Sequence, residues 1–365
     1  MNSRTLALVL LLVAIALAIV LPHHSQRVAA TANPVGTPIE IKAPLGLPPI
    51  PFPADNPPTV ETIELGRRLY YDPALSVDST VSCASCHHPE HGFSDGKRTS
   101  TGVQGKTGSR NSPTVFNSAY FEVQFWDGRA PSMEKQAEGP VQNPIEMAHT
   151  LDGVVSRLNA DPTYKVQFAK AFGPGPITYQ MVEKAIASFE RTVVSGNSPF
   201  DRWKYGKYEK AVSESVKRGF EVFSSPKKGN CTACHLVGTD YALFTDNKFH
   251  NIGVGADIES ISDAGRYTVT QKEEDRGAFK TPSLRNVALT APYMHDGSLK
   301  TLKEVIDFYI GGGNSNAHLD KNIHALDFLT GQERADLQAF LESLTGDMPA
   351  MAGPPSADKS PSGAP

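Results

Sequence analysis

Two copies of one five-residue pattern, Cys83-Ala84-Ser85-Cys86-His87 and Cys231-Thr232-Ala233-Cys234-His235, use all 4 cysteines of the chain. C-x-x-C-H is the attachment pattern of a c-type haem. Its two thiols add to the porphyrin vinyl groups, and the same turn brings the histidine to the iron. A chain with two such motifs has to fold around two rigid planar groups. The alternatives explain less. A four-cysteine zinc site brings its C-x-x-C halves within roughly 15–20 residues, whereas these lie about 145 residues apart. Thioredoxin-like redox motifs need no trailing histidine, and two disulfides within the turns would leave both histidines unexplained. The motifs therefore predict two covalent haems and a redox protein.

The N-terminus indicates where haem is attached. Arg4 precedes an apolar run from Leu6 to Leu21, and small residues follow at Ala29, Ala30 and Ala32. The run is short for a spanning helix, which takes about 20 residues, and Ala30-Thr31-Ala32 resembles an A-x-A cleavage site. Residues 1–32 are expected to be a signal peptide, with an uncleaved anchor as the competing reading, and the mature chain is expected in the periplasm. No other stretch reads as a membrane span. The net charge of −4 is mild and argues against a nucleic-acid partner.

What remains is about the length of two ordinary domains. Residues 33–58 are proline-rich and read as an extended arm. Residues 347–365, rich in Pro, Ser, Gly and Ala, read as a disordered tail. Between them apolar residues recur at helical spacing in Thr62–Tyr71, Leu151–Asn159, Met181–Ser195, Ser213–Ser224, Leu302–Tyr309 and Gly331–Leu344, with no convincing strand pattern. One such helix precedes each C-x-x-C-H. The expected fold is mainly α, with two cytochrome c-like domains, 59–205 and 206–346, each carrying one haem and meeting at an interface.

A haem iron with an open sixth position can be a catalyst, and one with a filled position is a relay. Spacing alone leaves that ligand open. For the first haem the local candidates are His88, His91 and His149, of which His88 and His91 sit close enough to the motif to act as loop caps. For the second they are His250, Tyr293, Met294, His295 and Tyr309.

A set of motifs, in order along nearly the whole mature chain, carries a resemblance. They are Cys83–His87 with Gly92-Phe93-Ser94-Asp95-Gly96, Arg110-Asn111-Ser112-Pro113-Thr114, Gln124-Phe125-Trp126-Asp127-Gly128-Arg129 and Gln136–Met147. Cys231–His235, Phe249-His250-Asn251-Ile252-Gly253, Lys280–Val287 and Ala291-Pro292-Tyr293-Met294-His295-Asp296-Gly297 continue the series. The chain resembles the bacterial di-haem cytochrome c peroxidase superfamily, in particular its MauG and MbnH branch.

The resemblance implies the following roles. Ordinary family peroxidases cap the first haem with a histidine eight residues before the Asn of the Arg-Asn pair; here that position is Val103, which cannot bind iron. They cap the second haem with a methionine fourteen residues after the His of His-Asp-Gly; here that position is Tyr309, as in the MauG and MbnH branch. An anionic oxygen ligand favours oxidised iron where a thioether favours the ferrous form. Glu146 takes the position of the acid–base in peroxide cleavage, Gln136 stands beside it, and Pro140 lines the pocket. Trp126 falls where the family has a relay between the haems; the other tryptophan, Trp203, reads as packing or an interface residue. A structural calcium is implied at Asn111 (side chain), Thr290 and Pro292 (carbonyls), a donor set that suits the ion. Where MauG has a surface tryptophan two residues before the second motif, this chain has Gly229, so that route to a protein substrate is not carried over. Lys227 and Lys228 form a small basic rim there.

The expected function is a periplasmic di-haem peroxidase. Hydrogen peroxide would bind the first haem, cleavage would be assisted by Glu146, and a high-valent di-haem state would oxidise a Trp or Tyr on a partner protein. The rivals are a peroxidase that detoxifies hydrogen peroxide with electrons from a small cytochrome c or cupredoxin, and a plain electron-transfer di-haem cytochrome.

Overall fold

The structure, a computed structural model, describes residues 34–355; the expected signal segment lies outside them. Within this range the chain is mainly helical. Its longer helices are α1 (Val60–Tyr71), α2 (Met133–Gln142), α3 (Leu151–Ala160), α4 (Pro162–Phe172), α5 (Tyr179–Glu190), α6 (Pro199–Lys204), α7 (Glu214–Ser224), α8 (Leu302–Ile310) and α9 (Gly331–Glu342). One two-residue antiparallel pair, β1 (Phe249–His250) with β2 (Phe279–Lys280), is the sheet among the described residues. None of these helices is long and apolar enough to cross a membrane.

Two helix crossings organise the core, and in both a glycine permits the approach. A Cβ on Gly66 of α1 would lie 1.8 Å from the Ala185 carbonyl oxygen of α5, and one on Gly219 of α7 would lie 2.0 Å from that of Asp336 in α9. The buried side chains divide accordingly. Leu65, Leu69, Val103, Val141, Met147, Phe168 and Val182 belong to one cluster, and Phe200, Phe223, Phe244, Ile306, Leu337 and Phe340 to another.

The chain also repeats itself in backbone detail. Left-handed Asn117 and Asn286, left-handed Phe125 and Met294, and the helix N-caps Ser132 and Thr301 each stand 169 residues apart (286 − 117, 294 − 125, 301 − 132). The bridges Gln124–Ala130 and Tyr293–Leu299 keep the same offset. Trp126 and His295 are therefore equivalent positions of two halves.

Several expectations need correction. Helix α5 stops at Glu190 rather than running to Ser195, because β-branched Thr192, Val193 and Val194 follow. The Asn117 amide also clasps Ser195 outside the helix, accepting from its N–H at 2.9 Å and donating to its carbonyl at 3.1 Å. Helices α2, α4 and α6 were not expected. The proline-rich arm is extended but packed: Leu47 is buried, Tyr120 donates to the Pro48 carbonyl, and Arg285 donates to that of Gly46. Nor is the start of the tail free. Ala352 is buried, its carbonyl accepts from Tyr71, and Arg67 donates to the carbonyls of Gly353 and Pro354 at 2.7 Å.

Candidate haem and peroxide site

Each C-x-x-C-H forms a single tight turn. The His87 N–H donates to the Cys83 carbonyl at 3.0 Å, and the His235 N–H to that of Cys231 at 2.9 Å. Both rings are held by a second carbonyl: Nδ1 of His87 lies 3.2 Å from the Phe93 oxygen, and Nδ1 of His235 lies 2.8 Å from that of Phe244. That bond favours the Nδ1–H tautomer and turns Nε2 toward a metal, although at His87 the Ser112 hydroxyl also lies 3.2 Å from Nδ1 and 3.3 Å from Nε2. Burial lowers the pKa of both histidines, which keeps the rings neutral. Burial pushes the Cys83 thiol up and that of Cys231 up to about 12. Two cysteines and a carbonyl-anchored imidazole in one tight turn fit thioether attachment of haem.

Glu146 is set by the loop after α2. That loop folds back on the helix through Met147 N–H to Pro140 O at 3.2 Å and His149 N–H to Val141 O at 2.8 Å. Its other side is pinned by the Val103 N–H, which donates to the Glu146 carbonyl at 2.8 Å. The half-buried carboxylate accepts from Asn143 Nδ2 at 2.6 Å. Burial raises its pKa, while Asn143 and the Arg129 charge lower it, and burial wins. Its charge adds a small upward push to the Cys83 and Cys86 thiols, after burial and nearer groups such as Glu190 and Asp95. Gln136, Pro140 and Asn143 recur at i, i+4 and i+7 and share a face leading to it. Val103 is fully buried in the first core cluster and forms an apolar wall here.

Trp126 links the two repeats. Its indole N–H donates to the Asn111 carbonyl at 2.9 Å, and its own carbonyl accepts from the Lys280 N–H at 2.8 Å. Around it Arg110 pairs with Asp127 at 2.6 Å and bidentately with Asp263 at 2.7 and 2.9 Å, while Arg266 donates to the carbonyls of Asp127 and Gly128. These long-range partners carried no local signal in the sequence. Trp203 packs on Phe200 and Phe220 and donates to Glu209.

The open candidates for sixth ligand separate. His88 accepts from the Glu90 N–H and caps its turn, and His149 Nδ1 accepts from the Thr150 N–H. His250 is removed from candidacy by two carboxylates, Asp320 at Nδ1 (2.5 Å) and Asp246 at Nε2 (2.9 Å). Its pKa is pushed up to about 10, first by the Cys234 sulfur and then by those carboxylates. The cluster of Cys234, Asp246 and His250 has metal-ligand types, but both imidazole nitrogens are already engaged. His295 is buried and stacked on Phe279 at 3.6 Å. Tyr309, on α8, has a hydroxyl with no hydrogen-bond partner among the described residues, and burial, then Cys231 and Cys234, push its pKa up. Its phenol and the His250 ring both feel the cysteines of the second motif, but the two imidazole nitrogens of His250 are engaged and, among the described residues, the phenol oxygen is not.

For the expected calcium, Asn111 donates to the Lys97 carbonyl at 2.9 Å, and its Oδ1 accepts nothing from the described residues. Pro292, with Gly96, Arg98 and Gly297, lines an adjoining hollow of about 460 Å³. These oxygen donors suit a hard cation.

Comparison with known proteins gives a consistent family. A model described as di-haem cytochrome c peroxidase matches residues 60–209. The chain is 41% identical to the methylamine utilization protein MauG of Methylophilus methylotrophus over 81% of its own length and 86% of that protein. It is 38% identical to the cytochrome c peroxidase Ccp of Escherichia coli strain K12, over 81% of this chain and 60% of that one. Among solved structures it resembles a MauG-like protein associated with microbial copper homeostasis, with a TM-score of 0.76 and 35% identity over 86% of this chain and 97% of that one.

Proposed function

The chain belongs to the di-haem cytochrome c peroxidase family, enzymes that carry two c-type haems and act on hydrogen peroxide, and within that family we propose that it oxidises a residue of a partner protein. In this reading Cys83, Cys86 and His87 hold one haem in the first half. Cys231, Cys234 and His235 would hold the other in a second cytochrome c-like half, with the Tyr309 phenol oxygen as a further ligand. The haems supply peroxide reduction and the storage of oxidising equivalents.

The protein's own residues do the rest. Glu146, its pKa raised by burial and held in check by the Asn143 hydrogen bond, takes a proton from the near peroxide oxygen and returns it to the far one. Gln136 offers an amide beside it, and Val103 keeps the pocket dry without binding iron. Trp126, hydrogen-bonded to one half through Asn111 and to the other through Lys280, is the path for charge between them. Asn111, Thr290 and Pro292 hold a calcium ion that fixes this seam, and the enzyme works in the periplasm after export.

What supports the reading is the pair of residues at the two ligand positions of the family: Tyr309 in place of a methionine, and Val103, whose N–H donates to the Glu146 carbonyl, in place of a histidine. The rival, a detoxifying peroxidase fed by a small cytochrome c or cupredoxin, is favoured by the 38% identity to the Escherichia coli cytochrome c peroxidase. Steady-state peroxide turnover with reduced cytochrome c separates the two. The proposal expects slow turnover together with peroxide-dependent oxidation of Trp or Tyr in a periplasmic protein from the same cells. Fast turnover without such oxidation would favour the rival.

A further inference from the structure

Lys280 is a buried cation without an anion. It is 7% exposed, yet no carboxylate among the described residues lies within ion-pair distance of its ammonium, and none of their atoms accepts a hydrogen bond from it. What it touches is the face of Phe121, with Nζ 3.4 Å from the ring centroid. Burial alone drags its pKa down to about 7, with no charged neighbour opposing. A cation–π contact offsets only part of the cost of desolvating an ammonium. The described residues alone do not balance this lysine.

Its position says what does. The Lys280 N–H donates to the Trp126 carbonyl, in the first half. Strand β2 pairs it with Phe249 of β1. The next carbonyl, of Thr281, accepts from the Thr245 hydroxyl, and Thr245 follows Phe244, whose carbonyl anchors the His235 ring. Lys280 therefore lies between the histidine of the second motif and Trp126. The only carboxylates that come to this place from outside the sequence are the propionates of the haems, which themselves need counter-ions when buried.

Resting on the di-haem reading above, we propose that Lys280 pairs with a haem propionate at the seam and, as a fixed positive charge beside the ring, raises the reduction potential of that haem. A lysine rather than an arginine suits the role, because a compact ammonium on a flexible stem can meet a carboxylate arriving with the cofactor after the chain has been made.

The test uses the haem-loaded protein and needs no peroxide. Wild type, Lys280→Met and Lys280→Arg are compared by haem content and by spectroelectrochemical titration of both haems. The proposal expects two haems in each variant, a lower midpoint potential for one haem in Lys280→Met, and a return toward wild type in Lys280→Arg. Unchanged potentials in a Lys280→Met protein holding both haems would overturn it, as would equal shifts in the Met and Arg variants. If Lys280→Met does not assemble, resonance Raman decides between wild type and Lys280→Arg. A moved propionate-bending band supports the pairing, and identical bands refute it. Fewer than two haems in wild type would instead defeat the underlying di-haem reading.

Discussion

Replacing Glu146 by Gln keeps the shape of the loop, since the backbone bond from Val103 and the turn from Asn143 are untouched. It removes the group that moves the proton. General acid–base catalysis contributes about 10²–10⁴-fold, or about 2.7–5.4 kcal/mol at 1.36 kcal/mol per decade, so the second-order rate of reaction with peroxide should fall by that factor. The base must be ionised to accept a proton, so the wild-type rate should rise with pH through the pKa of Glu146, which burial places above its ordinary value. Glu146→Gln should lose that limb. Asn143→Ala should displace it instead. The 2.6 Å bond to the carboxylate stabilises the charged form, a hydrogen bond to a charged group contributes about 1.5–3 kcal/mol, and partial exposure favours the lower end. The limb should therefore move to higher pH. Stopped-flow rates across pH 4–8 measure all three proteins. A Glu146→Gln enzyme with wild-type rate and limb would refute the assignment, and a limb shifted downward in Asn143→Ala would refute the electrostatic argument.

Three further outcomes are expected. Arg285→Met leaves Asp201, fully buried and bonded to Arg285 at 2.8 and 2.9 Å, without its charge partner. Such a loss costs about 3–5 kcal/mol, and thermal denaturation should report a fall of several degrees, with faster proteolysis of the arm that Arg285 also holds at Gly46. Gly66→Ala and Gly219→Ala should each destabilise by about 1–3 kcal/mol through overpacking of the helix crossings. Gly331→Ala, with open space around the new methyl, should be close to neutral in chemical denaturation. Tyr309→Met should alter the visible spectrum of the second haem and raise its potential, since a thioether favours the reduced iron; an identical spectrum would show that Tyr309 is not its ligand.

Much of the site was legible because its determinants are local. The C-x-x-C-H turns, the helix before each and the Gln136–Glu146 segment are contiguous in sequence, whereas the roles of Glu146 and Tyr309 come from the family resemblance. Helix α4 was missed although Asp161-Pro162 is a readable N-cap followed by Pro at the first helical position. Helix α2 was obscured by Pro140 within it. What could not be read is what depends on distant partners. His250 kept its place among the iron ligands until Asp320, seventy residues on, was seen at its ring. Arg110 meets Asp263 across the seam, and the tail is held by Arg67 and Tyr71 of α1. Lys280 looked like one charge among many, and only its burial without a carboxylate marked it out.

The central claim is that one iron is open to peroxide beside Val103 and Glu146 while the other is held by Tyr309. Adding one equivalent of hydrogen peroxide to the fully oxidised protein, and following both haems by rapid-scan absorbance, tests it most directly. The account predicts a prompt spectral change at both haems with no prior reduction. A protein that stays spectrally unchanged until an electron has first been supplied would contradict it.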